Sequence, residues 1–134
     1  LPADHAAWDN ATQGEIADVL AKADAVSLHV PLTDDTRHMI NADTLAQMQP
    51  GAVLINAARG GVLDEDALVS AMASGHIAGA ALDVFETEPL TQAAAEKFKT
   101  IKNLILTPHI AGVTQDSNER VSALIADLVL DRLK

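Results

Sequence analysis

Val53 to Asp66 reads V-L-I-N-A-A-R-G-G-V-L-D-E-D, and the reading of this stretch decides the fold. Val53, Leu54 and Ile55 form an apolar run of the kind that is buried in a parallel sheet. Asn56 to Ala58 lead out of that strand, and Arg59 stands at its C-terminal end. Gly60 and Gly61 then let the backbone turn sharply. Asp64 is placed to cap a helix, with Leu63 and Leu68 spaced as a hydrophobic staple across the cap. A cation therefore sits where a strand hands over to a loop, and in open α/β sheets ligands bind along that edge. The alternative is a surface arginine in an ordinary strand-to-helix connection.

The flanking sequence repeats the pattern. On the N-terminal side, Thr12 and Glu15 have capping-box spacing, and Ile16, Val19, Leu20 and Ala23 share a helical face. Ala25 to Val30 is a short strand that Pro31 ends by removing a donor. Asn41 or Asp43 can cap a short helix over Leu45 and Met48, stopped by Pro50-Gly51. On the C-terminal side, the helix from Asp64 runs to Ser74, with Leu68, Val69 and Met72 inward and Gly75 at the C-terminal cap. Ala78 to Val84 is the next strand, rich in small residues. Thr91 to Phe98 is a loop with a short helix, and Leu104 to Leu106 is a further strand. Thr114 can cap a last helix whose apolar stripe is Val121, Leu124, Ile125, Leu128, Val129 and Leu133. Strands alternating with helices predict an α/β fold, a parallel sheet with flanking helices and right-handed crossovers.

Composition narrows the function. The 134 residues suffice for one modest domain, and at 2% aromatic the core must be aliphatic and alanine-rich. A formal net charge of -10 repels phosphate backbones and anionic lipid, so neither nucleic acid nor a membrane is expected as a partner. No apolar run is long enough to span a bilayer. The lack of cysteine excludes a disulfide scaffold, a thiolate nucleophile and a zinc–thiolate site, and is in keeping with an intracellular, cytoplasmic protein. The five histidines lack close ligand spacing, so no metal is expected. Leu1 to Asn10 has no clear period, and Leu1-Pro2 without an initiator Met reads as a start inside a larger protein.

In a parallel sheet all strands end on one edge. His29, Arg59, Asp83, Glu88 and His109 follow four different strands and should converge there. A guanidinium, an imidazole and carboxylates together suit acid–base work on an anionic substrate. Arg59 can grip a carboxylate with two parallel hydrogen bonds. His109 can shuttle a proton near neutral pH, and Glu88 can orient it.

Four segments carry a resemblance: S-L-H-V-P-L-T at Ser27–Thr33, N-A-A-R-G-G-V-L-D at Asn56–Asp64, A-L-D-V-F-E-T-E-P at Ala81–Pro89 and T-P-H-I-A-G at Thr107–Gly112. In that order they resemble the D-isomer-specific 2-hydroxyacid dehydrogenase family, of the phosphoglycerate and hydroxypyruvate dehydrogenase type. The resemblance implies hydride transfer between NAD or NADP and a 2-hydroxy acid/2-keto acid pair, in a parent enzyme that forms a homodimer. It makes Arg59 the substrate-carboxylate arginine, His109 the catalytic histidine and Glu88 its paired acid. It makes Asp83 the contact to the nicotinamide carboxamide, and His29, Val30, Pro31, Ala57 and Ala58 a dinucleotide-lining set. Formate dehydrogenases of the wider family usually carry an amide at the acid position, so Glu88 favours a hydroxy acid.

The family's G-x-G-x-x-G turn, which brings backbone amides to the pyrophosphate, is absent from the sequence. Residues 1–134 therefore read as the second half of a Rossmann-type NAD(P)-binding domain, without the glycine-rich half and the substrate domain. Two other readings stay open: a nucleotide-sensing, corepressor-like binding protein on the same fold, and a structural fragment without activity.

Overall fold

The computed structural model describes Asp9 and residues 11–133. The aperiodic reading of Leu1 to Asn10 therefore lies, Asp9 apart, outside the described residues. Helix α1 spans Ile16–Lys22, followed by β1 (Ala25–Leu28), α2 (Ala42–Gln47), β2 (Ala52–Asn56), α3 (Glu65–Ala73), β3 (Ile77–Leu82), α4 (Gln92–Ala95), a 3₁₀ turn at Glu96–Phe98, β4 (Leu104–Leu106) and α5 (Gln115–Arg132). The four strands form one parallel sheet in the order β1-β2-β3-β4.

Local chemistry explains most boundaries. Asn41 caps α2 by accepting from the Asp43 and Thr44 amides, while the Thr44 hydroxyl accepts from the Asn41 amide. Asp64 caps α3 by accepting from the Ala67 amide at 2.9 Å, and the staple residues Leu63 and Leu68 are both buried. Thr114 caps α5 through the Ser117 amide. Gly75, just beyond α3, takes φ +80°, the left-handed conformation that ends helices.

Other boundaries move. The capping box on Thr12 is not made: α1 starts at Ile16, with Glu15 at the N-cap and no side-chain cap. Gly14 lies inside the turn that such a box would need, and glycine resists helix formation there. Only Leu20 of the expected α1 face is buried, with Ile16 and Val19 exposed. Strand β1 stops at Leu28 rather than Val30, so His29 and Val30 belong to the loop. Strand β3 starts at Ile77 and stops before Asp83.

Burial follows the sheet register. Val26, Leu54 and Ala80 lie side by side, as do Leu28, Asn56 and Leu82, and all six are buried. The five apolar ones meet Leu20, Leu45, Met48, Leu63 and Leu68 in one largely aliphatic core that also takes in Phe85 and Phe98. The alternate residues leave the opposite face open, with Val53 36% and Ile105 64% exposed. Nothing in α5 is buried, so its predicted apolar stripe faces solvent. Among the described residues no helix is long and apolar enough to cross a membrane.

Candidate active site

The loop carrying Arg59 is built on Asn56, the last residue of β2. Asn56 is 1% exposed, and its side chain turns back on its own loop. Its Oδ1 accepts from the Ala58 amide and its Nδ2 donates to the Arg59 carbonyl, both at 3.1 Å. This is an Asx-type turn, which fixes a loop where no ladder bond is available. Arg59 itself is exposed, and its Nη1 donates to the Ala58 carbonyl at 2.6 Å. His29, Val30, Pro31, Ala57, Ala58 and Arg59 line a hollow of about 320 Å³ at the ends of β1 and β2. His29 Nε2 is 2.8 Å from the Ser27 hydroxyl.

Glu88 and His109 form a pair across the ends of β3 and β4. His109 Nδ1 lies 2.8 Å from Glu88 Oε2. Glu88 Oε1 accepts from the Phe85 amide at 2.9 Å. The Phe85 amide and the His109 ring outweigh burial and hold the Glu88 carboxyl below the usual carboxylate range. An ionised carboxylate only accepts, so Nδ1 carries the hydrogen, and Nε2 is the nitrogen free to exchange a proton. His109 holds φ +55°, a left-handed conformation that costs a non-glycine residue about 1–2 kcal/mol. Such outliers persist where the surroundings over-determine them, often at functional sites. A cavity of about 500 Å³ opens beside the pair, lined by Phe85, Glu88, Pro89, Leu90, Pro108 and His109.

Asp83 supplies the surroundings that hold His109. It is 5% exposed. Its Oδ1 accepts from the Thr107 hydroxyl and from the Ile110 amide, and its Oδ2 accepts from the Ala111 amide at 2.9 Å. Burial alone would raise its pKa. The bonds from Thr107, Ile110 and Ala111, with His109 nearby, overcome burial and hold it below the usual range. Oδ2 retains a second lone pair. Asp83→Asn is expected to destabilise the fold by about 1–3 kcal/mol at neutral pH, because an amide NH₂ would oppose a backbone donor. A carboxylate depressed in the native state stabilises above its unfolded pKa, and that contribution disappears as pH falls through the native value. The gap between wild type and Asp83→Asn in urea unfolding should therefore narrow in acid. A gap that stays constant with pH would detach the charge of Asp83 from the loop.

The five residues expected at the sheet edge thus all follow strand ends, in two groups. Asp83, Glu88 and His109 are joined by one continuous set of bonds through Thr107 to Ala111. His29 and Arg59 line the hollow on the β1–β2 side. The sequence reading passed over Asn56, taken only as a link, and Glu65, taken only as part of a helix start. Asn at a strand end directly before a loop is an Asx-turn signal that marks the first.

The family model described as D-isomer specific 2-hydroxyacid dehydrogenase, NAD binding domain, matches residues 2–111. The chain is 54% identical over 130 residues to the (S)-sulfolactate dehydrogenase of Chromohalobacter salexigens, covering 96% of this chain and 41% of that protein. It is 46% identical over 122 residues to the D-3-phosphoglycerate dehydrogenase of Escherichia coli, covering 87% of this chain and 29% of that protein. Among solved structures, a D-lactate dehydrogenase from Sporolactobacillus sp. superposes with a TM-score of 0.85 at 36% identity, over 100% of this chain and 44% of that one. The D-lactate dehydrogenase from Aquifex aeolicus, complexed with NAD and lactic acid, gives 0.80 at 35% identity, over 92% and 41%. The chain spans less than half the length of each of these relatives. Within that span, the parallel sheet and the matched model agree: the chain belongs to the D-isomer specific 2-hydroxyacid dehydrogenases, in their NAD-binding domain.

Proposed function

We propose that residues 1–134 are the second half of the cofactor domain of an NAD- or NADP-dependent D-2-hydroxyacid dehydrogenase, and that Arg59, Glu88 and His109 carry its chemistry. The Glu88–His109 hydrogen bond carries this reading, because it leaves Nε2 free at the sheet edge that also bears Arg59. Arg59 binds the substrate carboxylate with its guanidinium fork and polarises the neighbouring C2 oxygen. Nε2 of His109 takes the hydroxyl proton in oxidation and returns it in reduction. Glu88, ionised at neutral pH, favours the imidazolium formed in between.

A nicotinamide nucleotide, when bound, supplies the hydride acceptor or donor. The residues present fit one side of such a group. Apart from His29 and Arg59, the hollow is walled by small side chains, and His29, Val30, Pro31, Ala57 and Ala58 are the proposed lining. The spare lone pair of Asp83 Oδ2 is the proposed acceptor for the carboxamide. No G-x-G-x-x-G turn is present to cradle a pyrophosphate, so this chain supplies part of the crevice. The relatives' names support a small 2-hydroxy acid/2-keto acid pair as the proposed substrate class, and those of the sulfolactate and lactate dehydrogenases carry a handedness label. The (S) label of sulfolactate and the D label of lactate describe the same arrangement at C2, because sulfur raises the rank of the third carbon above the carboxylate. A homodimeric, cytoplasmic enzyme belongs to the same reading, on the resemblance alone.

Steady-state kinetics of the complete enzyme on a panel of 2-keto acids test the proposal. Arg59→Lys replaces a fork by a point charge and is expected to lower kcat/KM roughly ten-fold or more, at least about 1.4 kcal/mol. Unchanged kinetics across the panel would remove Arg59 from the carboxylate role.

A further inference from the structure

Glu65, the first residue of α3, is not part of the hollow's lining yet is 4% exposed. Its Oε1 accepts from the Glu86 amide at 2.8 Å. Its Oε2 lies 3.0 Å from Lys97 Nζ, and the same ammonium reaches Asp66 at 3.0 Å. Burial lowers the Lys97 pKa, but Asp66 and Glu65 outweigh it and keep the ammonium charged. Lys97 also lies over the Phe98 ring, 5.7 Å from its centroid, and Phe98 packs on Phe85 with centroids 6.4 Å apart. On the far side, Gly60 touches the Phe85 carbonyl so closely that a Cβ there would lie 1.7 Å from its oxygen. The Glu86 carboxylate is tied to His38 Nε2 at 2.7 Å.

The Phe85–Glu86 peptide is thus held from two directions: its carbonyl by Gly60, beside Arg59, and its N–H by Glu65. One residue earlier in the chain, the Phe85 amide orients Glu88 Oε1, and Glu88 Oε2 orients His109. We infer that Glu65 is a positioning residue for the Glu88–His109 pair, acting through the Glu86 amide to hold the pair in register with Arg59. The inference rests on the reading of that pair as the acid–base couple. Glu65 lines neither the 500 Å³ cavity nor the 320 Å³ hollow, so its effect is transmitted through the loop.

Two readouts test this. The first is the carboxyl titration of Glu88 by carbon NMR, which needs no turnover. Glu65→Ala releases the Glu86 amide, frees Phe85 to drift, and should move the Glu88 titration upward toward that of an ordinary glutamate. Glu65→Gln keeps an oxygen acceptor for the amide and should hold the titration near that of wild type. The second is turnover of the complete enzyme, where Glu65→Ala should lower kcat about ten-fold and change KM for the keto acid little. A structural role alone would lower the melting temperature and leave the Glu88 titration unmoved. A folded Glu65→Ala with an unmoved titration overturns the inference, even if His109 proves catalytic. Should Glu65→Ala fail to fold, Glu65→Asp keeps the charge but is one methylene short of the amide. An unmoved Glu88 titration in that variant overturns the inference equally.

Discussion

His109→Ala is expected to lower kcat/KM of the complete enzyme by roughly 10²–10⁴-fold, the range that a positioned acid–base group supplies. Affinity for NADH should be nearly unchanged. His29, Val30, Pro31, Ala57 and Ala58, proposed to line the dinucleotide, lie on the other group of strand ends. Asp83, proposed to meet the carboxamide, is held by Thr107, Ile110 and Ala111 rather than by the His109 ring. Steady-state turnover and NADH fluorescence titration separate the two effects. The geometry behind the expectation is the single bond from Nδ1 to Glu88 Oε2, which fixes both the tautomer and the ring plane. Glu88→Gln sharpens the test. The carboxyl of Glu88 is held below its usual range, so it carries its charge throughout neutral pH. Removing that charge disfavours the imidazolium, and the limb of the pH–rate profile that reports the protonated ring should move to lower pH. A profile that stayed in place would separate Glu88 from His109 in function. Retention of full turnover by His109→Ala would dismiss the acid–base assignment altogether, whatever happened to Glu65.

Periodic and capping signals carried most of the architecture into the sequence. The four strands were legible because each is a short apolar run between breakers, and their single parallel sheet followed from the helices between them. Asp64 and Thr114 were legible as caps because a short polar side chain precedes each helix, whereas Asn41 was one of two candidates with Asp43 and only the structure selects it. Convergence of His29, Arg59, Asp83, Glu88 and His109 on one edge followed from parallel topology, since each lies one to six residues past a strand. The Glu88–His109 pair was expected from residue chemistry and the family resemblance, but other contacts between distant segments were illegible, having neither period nor spacing. The Glu65–Glu86 bond joins residues 21 apart, and Asp83 reaches Ile110 across 27 positions. A buried glutamate at a helix start reads like any acidic first turn, which favours the helix dipole without burial. The apolar stripe of α5 was legible as a stripe, but what lies against it is not a property of the helix sequence.

Gly60→Ala should be the most destabilising of the glycine substitutions in this chain, at about 3 kcal/mol or more, the upper end for overpacking a close contact. Backbone conformation is not the reason. Gly60 is not among the glycines with positive φ, so no left-handed strain opposes alanine there. Space is the reason: the added carbon would lie 1.7 Å from the Phe85 oxygen and 2.3 Å from its carbonyl carbon. Both are backbone atoms, so no rotamer change relieves the clash. Phe85 has little freedom to retreat. Its amide is bonded to Glu88, the next amide is bonded to Glu65, and its ring is packed on Phe98. Two other glycines serve as controls. Gly75 has open space around its Cβ position but sits at φ +80°, so Gly75→Ala pays only conformational strain, about 1–2 kcal/mol. Gly112 has open space and no left-handed φ, so Gly112→Ala should stay within about 0.5 kcal/mol of wild type. Urea unfolding of the three variants should rank them Gly60, Gly75, Gly112 in order of loss. Gly60→Ala should also loosen Glu88, visible as faster hydrogen exchange at the Phe85 and Glu86 amides, whereas Gly75→Ala should not. If Gly60→Ala lost no more stability than Gly75→Ala, the loop would have room to move away from Arg59. The close approach proposed to keep Arg59 in register with the Glu88–His109 pair would then not be a fixed feature of the site.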